Sequence, residues 1–168
     1  MYMAIFGMFS FVWFGWAQEN PRRSWRKYLG IASGVALAVS LIGIYLSATN
    51  WHEGSALSAE GAYTSYLIFV FIEFALAGIG GVLFIKFKRN AYVAPWILFI
   101  VGIHFFWLQG IFEDPSLLIL AILLVGIAFA SFRFARKLNV ATSAITGIGA
   151  GTVLFCFAVL GWIRFLIA

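Results

Sequence analysis

Residues 63–110 read YTSYLIFVFIEFALAGIGGVLFIKFKRNAYVAPWILFIVGIHFFWLQG, and their reading decides the fold. Two apolar runs, 63–85 and 92–112, flank a short basic turn carrying Lys86, Lys88 and Arg89. Each is long enough for a helix crossing the hydrocarbon of a bilayer, which takes about 17–25 residues. Inside them lie Glu73 and His104, the one carboxyl and the one imidazole placed deep within any apolar run of the chain. A charged side chain at the centre of a bilayer helix costs about 2.5–3.5 kcal/mol on insertion scales, so a chain keeping both groups is expected to shield or pair them.

The two groups are matched in depth. Glu73 lies thirteen residues before Lys86 and His104 twelve after Tyr92, which at about 1.5 Å rise per residue brings them to nearly the same level. Glu73 shares its helical face with Ser65, Tyr66, Phe69, Ala77, Gly80 and Gly81, and the glycines mark a side that another helix approaches. His104 shares its face with Trp96, Ile100, Val101, Trp107 and Leu108, an aromatic wall, while Gln109 points elsewhere, towards the external surface. The functional reading is a midplane cavity that binds a small polar ligand or exchanges a proton, bordered by Glu73 and His104 with Tyr66, Trp107 and Gln109 nearby. The plainer reading is one structural hydrogen bond between neighbouring helices.

Working outward, the whole chain fits lipid. Its 168 residues are 64% hydrophobic and 10% charged, and mean hydropathy is +1.02, far from a soluble domain. The net charge of +5 would suggest nucleic acid in a soluble protein. Here the cations sit in short clusters between apolar runs, where the positive-inside rule accounts for them, and nucleic-acid binding is set aside. The single Cys156 lies in an apolar run, so no internal disulfide and no cysteine metal site exist. The first run carries neither the basic residues nor the cleavage site of a signal peptide and reads as a retained helix.

Six spans follow. The first is 2–18, rich in Phe and Trp, ending at Glu19, Asn20 and Pro21. Asn20 as N-cap with Pro21 at the first helical position predicts a new helix there, carrying Arg22, Arg23, Arg26 and Lys27 at its start, with Trp25 and Tyr28 at the interface. The second span, 28–48, aligns Ser33, Ala36, Ser40, Gly43 and Ser47 as one face of small residues. A polar external loop, 49–62, holds Trp51, His52, Glu53 and Glu60. The third and fourth spans are 63–85 and 92–112. Asp114 and Pro115 repeat the cap-then-proline signal and open a fifth, 116–132, whose almost complete lack of polar content predicts a lipid-facing helix. The sixth, 140–163, aligns Ser143, Gly147, Gly151, Ala158 and Gly161. The expected fold is therefore all-α: one integral membrane bundle of six transmembrane helices, with spans two, three and six packed through their small-residue faces.

Basic clusters at 22–27, 86–89 and 133–137 then fall on one side, and Glu53, Glu60, Glu113 and Asp114 on the other. Both termini are external by the positive-inside rule, against which only Arg164 runs. Arg22, Arg23, Arg26, Lys27 and Trp25 are expected to anchor the chain to membrane lipid through its headgroups. An internal echo pairs Phe11, Trp13, Phe14, Glu19, Asn20 and Pro21 with Phe105, Trp107, Leu108, Glu113, Asp114 and Pro115. Copies three spans apart would be inverted, as in many transporters, but the match fades beyond these residues and shared helix-end chemistry explains it more simply.

Chemistry-bearing motifs are sparse. His52, Glu53, Glu60, Glu113 and Asp114 lack metal-ligand spacing and read as solvated loop. No phosphate loop, paired-aspartate motif or nucleophile with a base is present, and bis-His haem ligation cannot be built, so no cofactor or metal is expected. The runs 13–25 (WFGWAQENPRRSW), 73–78 (EFALAG) and 102–105 (GIHF) resemble those of small multi-pass bacterial membrane proteins to which no activity is assigned. That resemblance implies a bacterial cytoplasmic membrane and supplies no chemistry. The leading function is a carrier or binding protein with a midplane, proton-linked site. The alternative is a structural or regulatory bundle that binds lipid or a partner membrane protein and moves nothing; an enzyme ranks third. A conducting form of so short a chain would need a homo-oligomer.

Overall fold

The computed structural model describes residues 2–50 and 62–167, and among them every long element is helical. The helices are α1 (Tyr2–Trp16), α2 (Arg26–Thr49), α3 (Ala62–Lys86), α4 (Val93–Phe112), α5 (Ser116–Leu138) and α6 (Thr142–Ile167), with one 3-10 turn (Asn90–Tyr92) before α4. Five of them, α2 to α6, are long and apolar enough to cross a membrane, and α1 is a shorter apolar helix. Its 15 residues rise about 22 Å, short of a hydrocarbon core about 30 Å thick. The chain is thus an all-helical, membrane-embedded protein. Trp51, His52, Glu53 and Glu60 of the expected external loop lie outside the described residues.

Local chemistry explains most of the helix ends. Asn20, Lys88, Glu113 and Asn139 all adopt positive φ, between 50° and 56°, just after α1, α3, α4 and α5. At two of them the backbone closes a Schellman motif: Lys88 and Arg89 donate to the carbonyls of Ile85 and Phe84 (2.9 and 2.7 Å), and Asn139 and Val140 to those of Arg136 and Ala135 (3.4 and 3.1 Å). The expectation for Asp114 holds, since its Oδ1 accepts the Ser116 backbone N–H at 2.9 Å as α5 begins. The matching expectation for Asn20 fails. α2 starts only at Arg26, with Trp25 in the cap position and no side-chain cap, and Asn20, four residues past the end of α1, has a φ of 52°, which is not the extended backbone an N-cap adopts. Arg22 and Arg23 therefore sit in the connection, and Asn20 O accepts from Ala141 N at 3.3 Å.

The chain forms two compact units, residues 1–52 with 134–168, and residues 53–133. In the first, α1 lies between α2 and α6. Its buried side, Met3, Phe6, Gly7, Ser10, Trp13 and Phe14, meets the small-residue faces read from the sequence: Ser33, Ala36, Ser40 and Gly43 on α2 and Ser143, Gly147, Gly151 and Ala158 on α6 are all buried. Approach is close enough that a Cβ at Gly43 would stand 2.5 Å from Ala4 N, and one at Gly147 2.5 Å from Trp13 O. Three serine hydroxyls donate to carbonyls of the neighbouring helix: Ser40 to Ala4 (2.9 Å), Ser33 to Phe11 (3.2 Å) and Ser10 to Gly151 (2.8 Å). Small residues permitting backbone contact, tied by hydroxyl hydrogen bonds, are what packing requires where lipid is as apolar as the side chains. Within the first unit α2 and α6 thus present their small faces to α1, and within the second the glycines of α3 are met by α4.

The second unit contains α3, α4 and most of α5. Gly80 is covered by the Trp96 indole, whose Nε1 donates to Leu76 O at 3.1 Å. On the other side of α4, Gly102 receives Val125 and Leu124 of α5. This corrects the expectation that the fifth span faces lipid throughout. Leu117, Leu120, Ala121, Leu124 and Ala128 are buried, and the opposite side exposes Ile119, Ile122 and Phe129. Core-facing and lipid-facing surfaces are both apolar here, so composition does not separate them. The internal echo also fails structurally: Trp13 is buried whereas its counterpart Trp107 is 56% exposed, and the left-handed residues, Asn20 and Glu113, are offset by one position in the matched register.

Candidate functional site

Glu73 stands near the middle of α3 and His104 near the middle of α4, and the two helices pack against each other within one unit. The side chains meet: His104 Nδ1 lies 3.3 Å from Glu73 Oε2, with 8% of the histidine and 17% of the glutamate side chain exposed. Phe69 lies one turn before Glu73 on the same face of α3. Glu73, Tyr66, Phe69, Ala77, Gly80 and Gly81 of the face read from the sequence are buried or half-buried, with Ser65 turned out, and Leu67, Val70 and Phe84 of α3 are half-buried beside them. Most other α3 side chains, including Phe71, Phe74 and Ile79, are exposed. The carboxyl is thus placed on the one side of α3 that another helix covers, and the imidazole opposite it supplies the partner a desolvated carboxyl requires.

The neighbouring aromatics fall into place around this pair. Trp107 packs on Phe69 with ring centroids 5.6 Å apart, so it roofs the Phe69 turn while its outer edge remains exposed. Tyr66 meets Phe112 edge to face at 6.3 Å. Gln109 is half-buried, as are Trp96 and Val101, whereas Ile100 and Leu108 are buried. The expected aromatic wall is therefore split: Trp107 closes one end of the α3–α4 seam and Trp96 latches the other through Leu76. That latch carried no sequence signal beyond the Gly80–Gly81 pair, because an indole N–H donating to a helical carbonyl depends on how the two helices cross.

The expected midplane cavity is a separate matter from the pair. The surface grooves among the described residues include one of about 410 Å³ along Trp25, Tyr28, Leu29, Leu138, Ile145 and Ile148 and one of about 180 Å³ around Phe84, Trp96, Phe99 and Phe129. Neither is lined by Glu73 or His104; the pair itself is in direct contact at 3.3 Å. Such a contact can move a proton between carboxyl and imidazole, or open to admit a polar group between them. The residues expected to anchor in headgroups lie on the connection between α1 and α2 and in the first turn of α2. Arg22, Arg23, Arg26 and Lys27 are exposed, but Trp25 packs on a core of Phe14, Ala17, Leu29 and Ala36, and Arg22 donates to Leu138 O at 3.3 Å. Compared with known proteins, the chain matches no family model, no curated protein and no solved structure.

Proposed function

We propose that the protein is a small membrane carrier or binding protein whose site is the Glu73–His104 pair, and that a proton exchanged at this pair is linked to binding of a small polar ligand. The observation that supports this reading is the meeting of a carboxyl and an imidazole, 3.3 Å apart on adjacent helices, at the middle of two apolar spans. Ionisable groups at that depth are expensive and mark ion or ligand paths more often than scaffolding. Six crossings, both termini external and the three basic connections on the cytoplasmic side of a bacterial membrane complete the proposal. In this reading the closed seam is one state, and parting of α3 from α4 exposes the pair to one side of the bilayer. A second reading, a structural or lipid-binding bundle that transports nothing, is favoured by the direct contact of the pair and by the Trp96–Leu76 latch beside it.

Proteoliposomes loaded with a pH-sensitive dye separate the two. The native chain should carry protons across an imposed pH step, and Glu73→Gln, which keeps the size and hydrogen-bonding capacity of the side chain but cannot titrate, should not. Equal flux from both chains would remove Glu73 from any proton-linked role. Cysteines placed singly at Arg23, Lys88 and Lys137 should resist a membrane-impermeant reagent on intact cells, and labelling of any one from outside would overturn the proposed sidedness.

A further inference from the structure

The larger of these grooves belongs to the first unit, and its lining has a consistent chemistry. Trp25, Tyr28 and Leu29 from the start of α2, Leu138 from the end of α5 and Ile145 and Ile148 from α6 enclose about 410 Å³, within the range of ligand-sized sites. Its rim is cationic. The Arg22 guanidinium lies 5.3 Å from the Trp25 ring centroid and donates to Leu138 O at 3.3 Å, so it touches two of the lining residues while remaining exposed. That bond engages one of five N–H groups of a planar fork suited to phosphate oxygens. The α1–α2 and α5–α6 connections are clipped together here through Asn20 O and Ala141 N, 3.3 Å apart. The clip gathers Arg23, Arg26, Lys27, Arg136 and Lys137 at the same end of the unit. Glu19 is the one acidic side chain on the connection, and its Oε2 accepts the Trp16 indole N–H at 3.1 Å.

We propose that this groove is a binding site for an anionic phospholipid, with one acyl chain along Leu29, Leu138, Ile145 and Ile148 and the headgroup phosphate on the Arg22 guanidinium. Charge complementarity selects this occupant. An apolar trough alone would take any chain in the bilayer, but a trough whose mouth is an arginine fork within a cationic cluster favours a lipid that brings a negative charge to that depth. Trp25 and Tyr28, each amphipathic, line the step from chain to headgroup as interfacial aromatics do.

Native mass spectrometry of the full chain in detergent, titrated with equal amounts of phosphatidylglycerol and phosphatidylcholine, tests the proposal. The native chain should retain phosphatidylglycerol preferentially. Arg22→Gln should cut that preference about fivefold, the factor corresponding to about 1 kcal/mol for one basic residue at a lipid surface. Lys88→Gln, in the other unit, should leave it unchanged. Ile148→Trp, which fills the trough without altering charge, should abolish retention of both lipids, and Arg22→Lys should restore most of the preference if the fold is intact by circular dichroism. Equal retention of the two lipids by the native chain would overturn the proposal. So would equal losses in Arg22→Gln and Lys88→Gln, which would reduce the effect to general surface charge, or unaltered retention in Ile148→Trp.

Discussion

A double-mutant cycle on Glu73 and His104 measures the interaction on which the proposed site rests. Glu73→Leu and His104→Leu each leave a partly buried polar group without its partner, and a buried unsatisfied group costs about 1–3 kcal/mol. The two losses should differ. Glu73→Leu orphans the less exposed of the two groups, the imidazole at 8% against 17% for the carboxyl, so it should be the costlier. The coupling itself is bounded by geometry. At 3.3 Å the contact is slightly beyond the usual N–H···O range of about 2.7–3.2 Å. Side-chain hydrogen bonds between transmembrane helices couple by about 0.6 kcal/mol on average and about 1.7 at most, so about 1 kcal/mol is expected. Reversible unfolding in mixed micelles of dodecyl sulfate and dodecyl maltoside, followed by tryptophan fluorescence, gives all four free energies. The double variant should be less destabilised than the sum of the singles by that amount. A coupling under about 0.3 kcal/mol, the level at which unconnected sites add, would refute the pairing.

Other variants address the frame that holds the site. Gly147→Ala places a Cβ 2.5 Å from Trp13 O and 2.8 Å from Ala17, backbone that cannot swing aside, and should cost about 1–3 kcal/mol by overpacking. Gly34→Ala meets nothing within 4 Å and should be neutral or gain up to about 1 kcal/mol of helix propensity; the same micelle unfolding reads both. Trp96→Phe keeps the ring over Gly80 but deletes the donor to Leu76 O, for a loss of about 0.5–1.5 kcal/mol, checked by thermal denaturation. Asp114→Ala removes the acceptor of the Ser116 N–H and should cost about 1 kcal/mol, with hydrogen exchange rising at the start of α5 and not at its end.

Sequence periodicity alone determined that this chain lives in lipid, that its apolar runs are helices, and which faces of α2, α3 and α6 turn inward. Those faces are legible because small residues recur at three- and four-residue steps, and because Glu73 is too costly to leave in hydrocarbon. The matched depth of Glu73 and His104 followed from counting along two rigid helices, since rise per residue is nearly constant. Tertiary structure decided what the counting could not. Ser33, Ser40 and Gly43 marked a close partner without naming it, and only packing showed that α1, the shortest helix, takes both glycine faces. Leu120 and Leu124 read as lipid-facing because a side chain of carbon alone is equally at home against lipid or protein. The start of α2 was misplaced because asparagine suits both an N-cap and a left-handed turn residue, and here Asn20 is left-handed with its carbonyl accepting the N–H of Ala141 from a distant part of the chain. The groove at Trp25 and Arg22 was likewise invisible beforehand, since it exists only where residues 22–29 and 138–148 are brought together by that clip.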